Sequence, residues 1–293
     1  MKGTRELIHR LTAPPGQRIS LKDYRTDWTG HYAKEHAKDL LAAGVRRLAD
    51  LQNRLYAQDT WAVLLIFQAM DAAGKDGTIE HVMSGVNPQG CQVYSFKAPS
   101  QEERDHGYLW RASKALPERG RIGIHNRSHY EEVLVVRVHP EILEAQQLPE
   151  EHKHKGIWKE RFRQINDFER YLVENGTIPI KFFLNVSKKE QKRRFLERID
   201  LPEKNWKFSI DDVHERAHWK DYMAAYEDVF THTSTRHAPW YIVPADNKWF
   251  MRLAVAEVIN YRLKKLNLKY PTVTATRKKE LLQARKMLGS EKT

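Results

Sequence analysis

Residues Trp61 to Gly77 read W-A-V-L-L-I-F-Q-A-M-D-A-A-G-K-D-G, and Thr78-Ile79 follow. The run Ala62 to Phe67 is apolar on both alternating faces, the pattern of a parallel strand covered by helices on both sides, so a central strand is expected. A small-residue turn, Ala72-Ala73-Gly74, then leads through Lys75 into a segment able to start a helix at Asp76 or Gly77. Strand, tight turn, lysine and helix start make a phosphate cradle. Backbone N–H groups point into the loop, the helix N-terminus adds partial positive charge, and the lysine reaches bridging phosphates. Ala72 through Thr78 are therefore the first candidates for phosphate or nucleotide binding.

The match to the general phosphate loop, Gly-x4-Gly-Lys-Ser/Thr, is partial: Ala69 stands at the first glycine and Asp76 at the hydroxyl position. An ordinary strand-to-helix turn with an exposed lysine would look much the same. Asp71 favours the cradle. A carboxylate inside such a turn repels phosphate unless a metal lies between them, so loss of the hydroxyl ligand together with Asp71 reads as a relocated metal ligand.

The segment Gln68 to Ile79, together with His125-Asn126-Arg127-Ser128-His129-Tyr130-Glu131-Glu132-Val133, resembles polyphosphate kinase family 2. The resemblance runs from about Trp61 to about Trp249, most of the chain, with several motifs in the family's order. It implies phosphate transfer between polyphosphate and nucleotides. Asn126, where many relatives place an acid, followed by Arg-Ser-x-Tyr-Glu, is similar to the class III subgroup, which implies AMP as well as ADP as acceptors. His125 stands where that subgroup more often has an apolar residue.

The 293 residues carry 50 Lys+Arg against 38 Asp+Glu, a formal net charge of +12, which favours a polyanionic partner without choosing among nucleic acid, an anionic surface and an inorganic polyanion. Hydrophobic content of 41% and charged content of 30% describe a globular protein with ample core. No apolar run approaches the ~20 residues of a membrane span, and the N-terminus lacks a secretion signal's apolar core. The lone Cys91 forms no internal disulfide and agrees with a reducing, cytoplasmic setting.

Along the chain, residues 1–30 contain Pro14-Pro15-Gly16 and no clear period, and read as an extended arm. A helix is expected over about Tyr32 to Tyr56, then the central strand, a helix over Ile79 to Val86, and a second strand over Cys91 to Ala98. Ser100 and Glu103 resemble a capping box opening a helix through Leu116. Short strands follow at Arg121 to Arg127, Ile180 to Val186 and Trp240 to Ala245, with a long helix over about Ile157 to Glu174 and Asp246-Asn247 placed to cap a helix to Leu263. His152 and His154 lie on a lysine-rich segment whose spacing is weak for a metal site.

Lys97 ends a strand, where open α/β sheets hold ligands, though a solvated rim lysine fits equally well. Arg127 either stabilises charge on the transferred group or pairs with Glu131 or Glu132. Glu131 is a candidate contact to metal or nucleotide, whereas Glu132 equally suits a solvated first helical turn. The basic segment Ser187 to Arg198 places Arg194 and Arg198 four apart on one helix face, as in the lid of a nucleotide kinase, with Phe195, Leu196 and Ile199 on the buried side. The resemblance covers this segment too and implies a lid closing cations over phosphate.

These readings converge on one α/β domain over residues 31–270: a P-loop kinase-like three-layer α/β/α sandwich with a five-stranded parallel sheet and a helical lid at about 188–212. The basic tail, 271–293, reads as a loose tail or a subunit-docking helix, and a homo-oligomer is expected. The expected reaction is reversible, polyphosphate-dependent phosphorylation of AMP and ADP with magnesium (or manganese) on Asp71. Lys75, Arg127, Arg194 and Arg198 would neutralise phosphoryl oxygens, and Asn126 would bind neutrally. The partners are inorganic polyphosphate and adenine or other purine nucleotides, with neither membrane nor nucleic acid. A nucleotide-triphosphate-dependent small-molecule kinase would share the loop but keep a Ser/Thr after Lys75. A nucleic-acid-binding protein would explain the charge but lacks a recognisable reading helix.

Overall fold

The computed structural model describes residues 2–291. Five strands, β1 (Ala62–Gln68), β2 (Cys91–Ser95), β3 (Ile122–Asn126), β4 (Thr177–Asn185) and β5 (Trp240–Pro244), form one sheet in the order β2-β3-β1-β4-β5. Every neighbouring pair is parallel, with Leu65 opposite Ile124 on one side and Ile180 on the other. The central strand is the one whose sequence is apolar on both faces: all seven residues of β1 are buried. Edge strand β2 is half-buried to exposed.

Parallel strands need crossovers, and the helices supplying them also form the covering layers. Helices Ala37–Gln58 and Lys75–Met83 pack against Lys248–Lys264, while Ile157–Glu174 packs on β4 and on Trp219–Thr233. The chain leaves β1 towards β2, returns to β3 and then crosses to β4, so the carboxyl end of β1 lies at a switch point, where open α/β sheets form their binding crevice.

The structure differs from the expected elements in three places. Lys2–Leu11 is a helix, not an extended arm, with Leu7, Ile8 and Leu11 in the main core; beyond it, Thr12 bridges Tyr241 and the Ala13 N–H donates to the Trp240 carbonyl at 2.9 Å. Leu7, Ile8 and Leu11 fall on one helical face, and a helix of ten residues is held by that tertiary packing. The Ser100–Glu103 capping box forms, but its helix stops at Arg104 and a separate one spans Trp110–Lys114. Asn247 makes no side-chain cap, and Asp246 instead accepts from the Ser187 N–H (2.7 Å) and the Thr26 hydroxyl (2.8 Å). In the basic tail, Ala275–Gly289 is a helix that buries none of its residues.

Behind the site runs a buried polar network. Lys181 Nζ donates to Glu169 Oε2 at 2.6 Å and to the Tyr130 hydroxyl at 2.9 Å, and that hydroxyl donates to Glu169 Oε1 at 2.8 Å. Nearby, His125 is buried with Nε2 3.0 Å from the Ala115 carbonyl, and burial pulls its pKa down from 6.5 to about 4. Because the folded pKa lies below the unfolded one, the unfolded chain takes up a proton first as pH falls. The resulting loss of stability is absent well above pH 6.5 and complete well below 4, amounting to roughly 3 kcal/mol. Urea unfolding of wild type and His125→Leu across that range should show a steeper decline in wild type. Parallel declines would mean that His125 does not carry this sensitivity.

Candidate active site

The cradle is built by backbone conformation. After β1, Ala72 takes φ +58° and Gly74 φ +108°, and the Lys75–Met83 helix starts at the next residue. The conformation favours glycine at Gly74, where a Cβ would also lie a tight 3.1 Å from Met251 Cε. Thr78 is fully buried, and its hydroxyl donates to the Gly74 carbonyl at 2.9 Å, tightening the first helical turn and not facing the cleft.

Lys75 is half-buried, not an exposed loop lysine, with Nζ donating to the Ala69 carbonyl at 3.1 Å. Desolvation, and secondly the positive field of Arg127, lowers its pKa, while Asp71 and Glu131 oppose the shift. Arg127, at φ +63°, follows β3. Its Nη2 donates to Asp71 Oδ1 at 2.8 Å and its Nη1 lies 3.8 Å from Glu131 Oε2. Burial raises the pKa of Glu131 against the pull of Arg127. Asn126 donates from Nδ2 to Asp76 Oδ1 at 2.7 Å. The two segments the sequence singled out thus meet through three side-chain bonds, the third from Gln68 Nε2 to the Ser128 hydroxyl at 3.0 Å.

These groups open onto a cleft of about 490 Å³, floored by residues 71–77 and overhung by the helix Lys188–Asp200 and the 3-10 turn Pro202–Lys207. Eight cationic side chains and four carboxylates line it. Arg198 is among the cations, with Nη1 3.3 Å from Asp212 Oδ2. Sequence reasoning missed Lys204, Lys248 and Arg252 as site cations. Lys248 and Arg252 had a signal, since they follow the carboxyl end of β5 as the loop follows that of β1.

Two candidates sit differently from expectation. Arg194 is only 4% exposed. Its guanidinium donates to the carbonyls of Ala72 (3.1 Å), Ala73 (2.6 Å), Ala245 (2.6 Å) and Asp246 (3.2 Å) and to Glu190 (2.8 Å). These bonds use all five of its donors, so it braces the phosphate loop from beneath. Four-residue spacing put Arg194 and Arg198 on one face but not which of them the core would claim. Arg194→Ala should lower stability by about 3–5 kcal/mol, as for a broken buried charge network, and urea unfolding reads it directly; a wild-type midpoint would contradict the brace. Lys97 is exposed and lines a separate concavity with Trp110 and Lys114 beside β2, outside the cleft. Glu132 is buried against Arg161 at 3.2 Å and turned away from the cleft residues.

A parallel sheet with a phosphate-cradling loop at its switch point, a lysine on that loop and a cationic cleft above it defines a P-loop phosphotransferase. The description of the family Polyphosphate kinase 2 (PPK2) matches residues 31–271. The chain is 54% identical over 275 residues to an ADP-polyphosphate phosphotransferase of Rhodopseudomonas palustris, covering 93% of this chain and 95% of that protein. It is 43% identical to an AMP/ADP-polyphosphate phosphotransferase of Meiothermus ruber, covering 90% and 96%. The crystal structure of polyphosphate kinase 2 from Arthrobacter aurescens TC1 superposes with a TM-score of 0.85 at 40% identity, covering 96% of each chain. The chain belongs to the polyphosphate kinase 2 family and is a transferase. No helix among the described residues is long and apolar enough to cross a membrane.

Proposed function

We propose that this chain phosphorylates AMP and ADP to ADP and ATP from inorganic polyphosphate, reversibly and with a magnesium (or manganese) ion. The observation that carries the reading is the cleft itself, whose cations extend from Lys75 past Arg198 to Lys204 and Lys207, further than one transferred phosphate requires. A linear polyanion uses such a length; a small neutral acceptor does not. The names of the two relatives point the same way, one giving ADP and the other AMP and ADP.

Lys75 and Arg127 neutralise the equatorial oxygens of the group in transfer, and the loop N–H groups hold the flanking phosphates in line. Arg198 and the cations of the 3-10 turn hold the rest of the chain and, as a lid over residues 188–212, exclude water. Asn126 fixes Asp76 at the cleft mouth. Arg127 engages one oxygen of Asp71 and leaves Oδ2 for a metal. Among the described residues no three His, Cys, Asp or Glu side chains gather around one point, which fits magnesium, an ion held by one or two carboxylates together with substrate phosphates. When bound, the ion neutralises developing charge on the phosphoryl oxygens.

The test is steady-state formation of ADP and ATP from purified polyphosphate and AMP, with magnesium and with excess chelator. Product only in the magnesium arm is expected. Transfer from ATP to a small molecule, with none from polyphosphate, would overturn the reading.

A further inference from the structure

At the other end of the sheet from the phosphate loop, beside the starts of β4 and β5, lies a concavity of about 690 Å³. Its wall is apolar and aromatic, with Ile8, Ile178 and Leu266 beside the rings of Tyr241 and Tyr261. Around it stand Arg5, Arg236, Arg262 and Lys265, and no carboxylate lines it. Among the described residues none of these four cations is within 4.0 Å of a carboxylate oxygen. Arg262 is oriented by long bonds from Nη1 to the Tyr241 hydroxyl (3.3 Å) and from Nη2 to the His237 carbonyl (3.4 Å), which leave it donors to spare. His237 lines the same space, and its Nε2 is shielded from solvent without a hydrogen-bond partner among the described residues.

Four like charges gathered without counter-charge repel one another, and an orphaned buried ring nitrogen calls for a partner. An anion answers both. Bare phosphate or polyphosphate would use the cations and leave the apolar wall idle; an uncharged hydrophobic ligand would do the reverse. A flat aromatic base carrying a phosphate tail uses both, and the volume lies within the range of small-ligand sites. We propose that this concavity is a second, non-catalytic site for a nucleoside phosphate, with the base against the Tyr261 ring, from which the Lys265 ammonium, 4.4 Å from the ring centroid, swings to join Arg236 and Arg262 on the phosphates. No transfer step occurs there.

The test compares equilibrium ADP binding, by calorimetry, to the full-length wild-type chain and to Arg236→Glu/Lys265→Glu, two exposed positions whose change leaves the core intact. Lys278→Glu/Lys279→Glu, on the exposed tail helix, matches the charge change elsewhere. We expect wild type and the tail variant to show a class of ADP sites whose affinity falls at least tenfold in the first variant, with tripolyphosphate displacing that ADP at least tenfold less well than ADP does. The milder Arg236→Gln/Lys265→Gln should weaken it in the same direction. Equal ADP binding in wild type and both Arg236/Lys265 variants would overturn the site, and equal displacement by tripolyphosphate would overturn the role of the apolar wall. The readout is the difference made by two charges remote from the cleft, so it stands whether or not the cleft uses polyphosphate.

Discussion

Replacing Lys75 by alanine should lower phosphoryl transfer by about a thousandfold or more, the scale of losing a cation from the charge that develops on a transferring phosphoryl group. The same change should leave stability unchanged or raise it. Desolvation depresses the folded pKa of Lys75 below its unfolded value, so the unfolded chain holds the proton more tightly. The cost of burying the ammonium is therefore fully present below the depressed pKa and is relieved as pH rises from there towards 10.5. The alanine variant lacks that cost. Turnover and urea midpoint measured on one preparation separate the two effects. Near-normal turnover would remove Lys75 from the chemistry, and a collapsed midpoint would make it a structural residue.

Asp71→Asn carries the second large effect. Asparagine keeps the shape of the side chain but has one neutral oxygen to offer, so both the metal interaction and the ion pair with Arg127 at 2.8 Å weaken. Activity should fall by about two orders of magnitude or more, with half-maximal rate moved to higher magnesium. A variant that loses activity but keeps the wild-type magnesium dependence would assign Asp71 to holding Arg127 alone. Asp71→Glu separates these further, because it keeps the charge while lengthening the reach.

The sheet was readable because its strands are short and, apart from edge strand β2, largely buried, and β1, the most continuously apolar, is the central one. The pairing of the Gln68–Ile79 and His125–Val133 segments was readable from chemistry, since a phosphate loop and a strand ending in Asn-Arg serve one crevice. Which face of a helix the core claims was not. Arg194 and Arg198 occupy equivalent positions in a helical repeat, yet one is consumed by five acceptors beneath the loop and the other overhangs the cleft. The choice depends on carbonyls of residues 72–73 and 245–246, more than 45 residues away on either side in sequence. Lys181 was hidden for the same reason. Within I-K-F-F-L-N-V it interrupts an apolar run, and only Glu169 and Tyr130, brought in by other elements, explain its complete burial.

The central claim, that polyphosphate is the donor and nucleotide the acceptor in the cleft above Lys75, is tested most directly by following phosphorus-31 resonances of a mixture of polyphosphate, AMP and magnesium. With wild-type enzyme, mid-chain polyphosphate signal should decline while the β-phosphate of ADP and then the γ-phosphate of ATP appear, and with Lys75→Ala the spectrum should stay as mixed. Growth of inorganic phosphate alone, or nucleotide resonances that appear equally with Lys75→Ala, would contradict it.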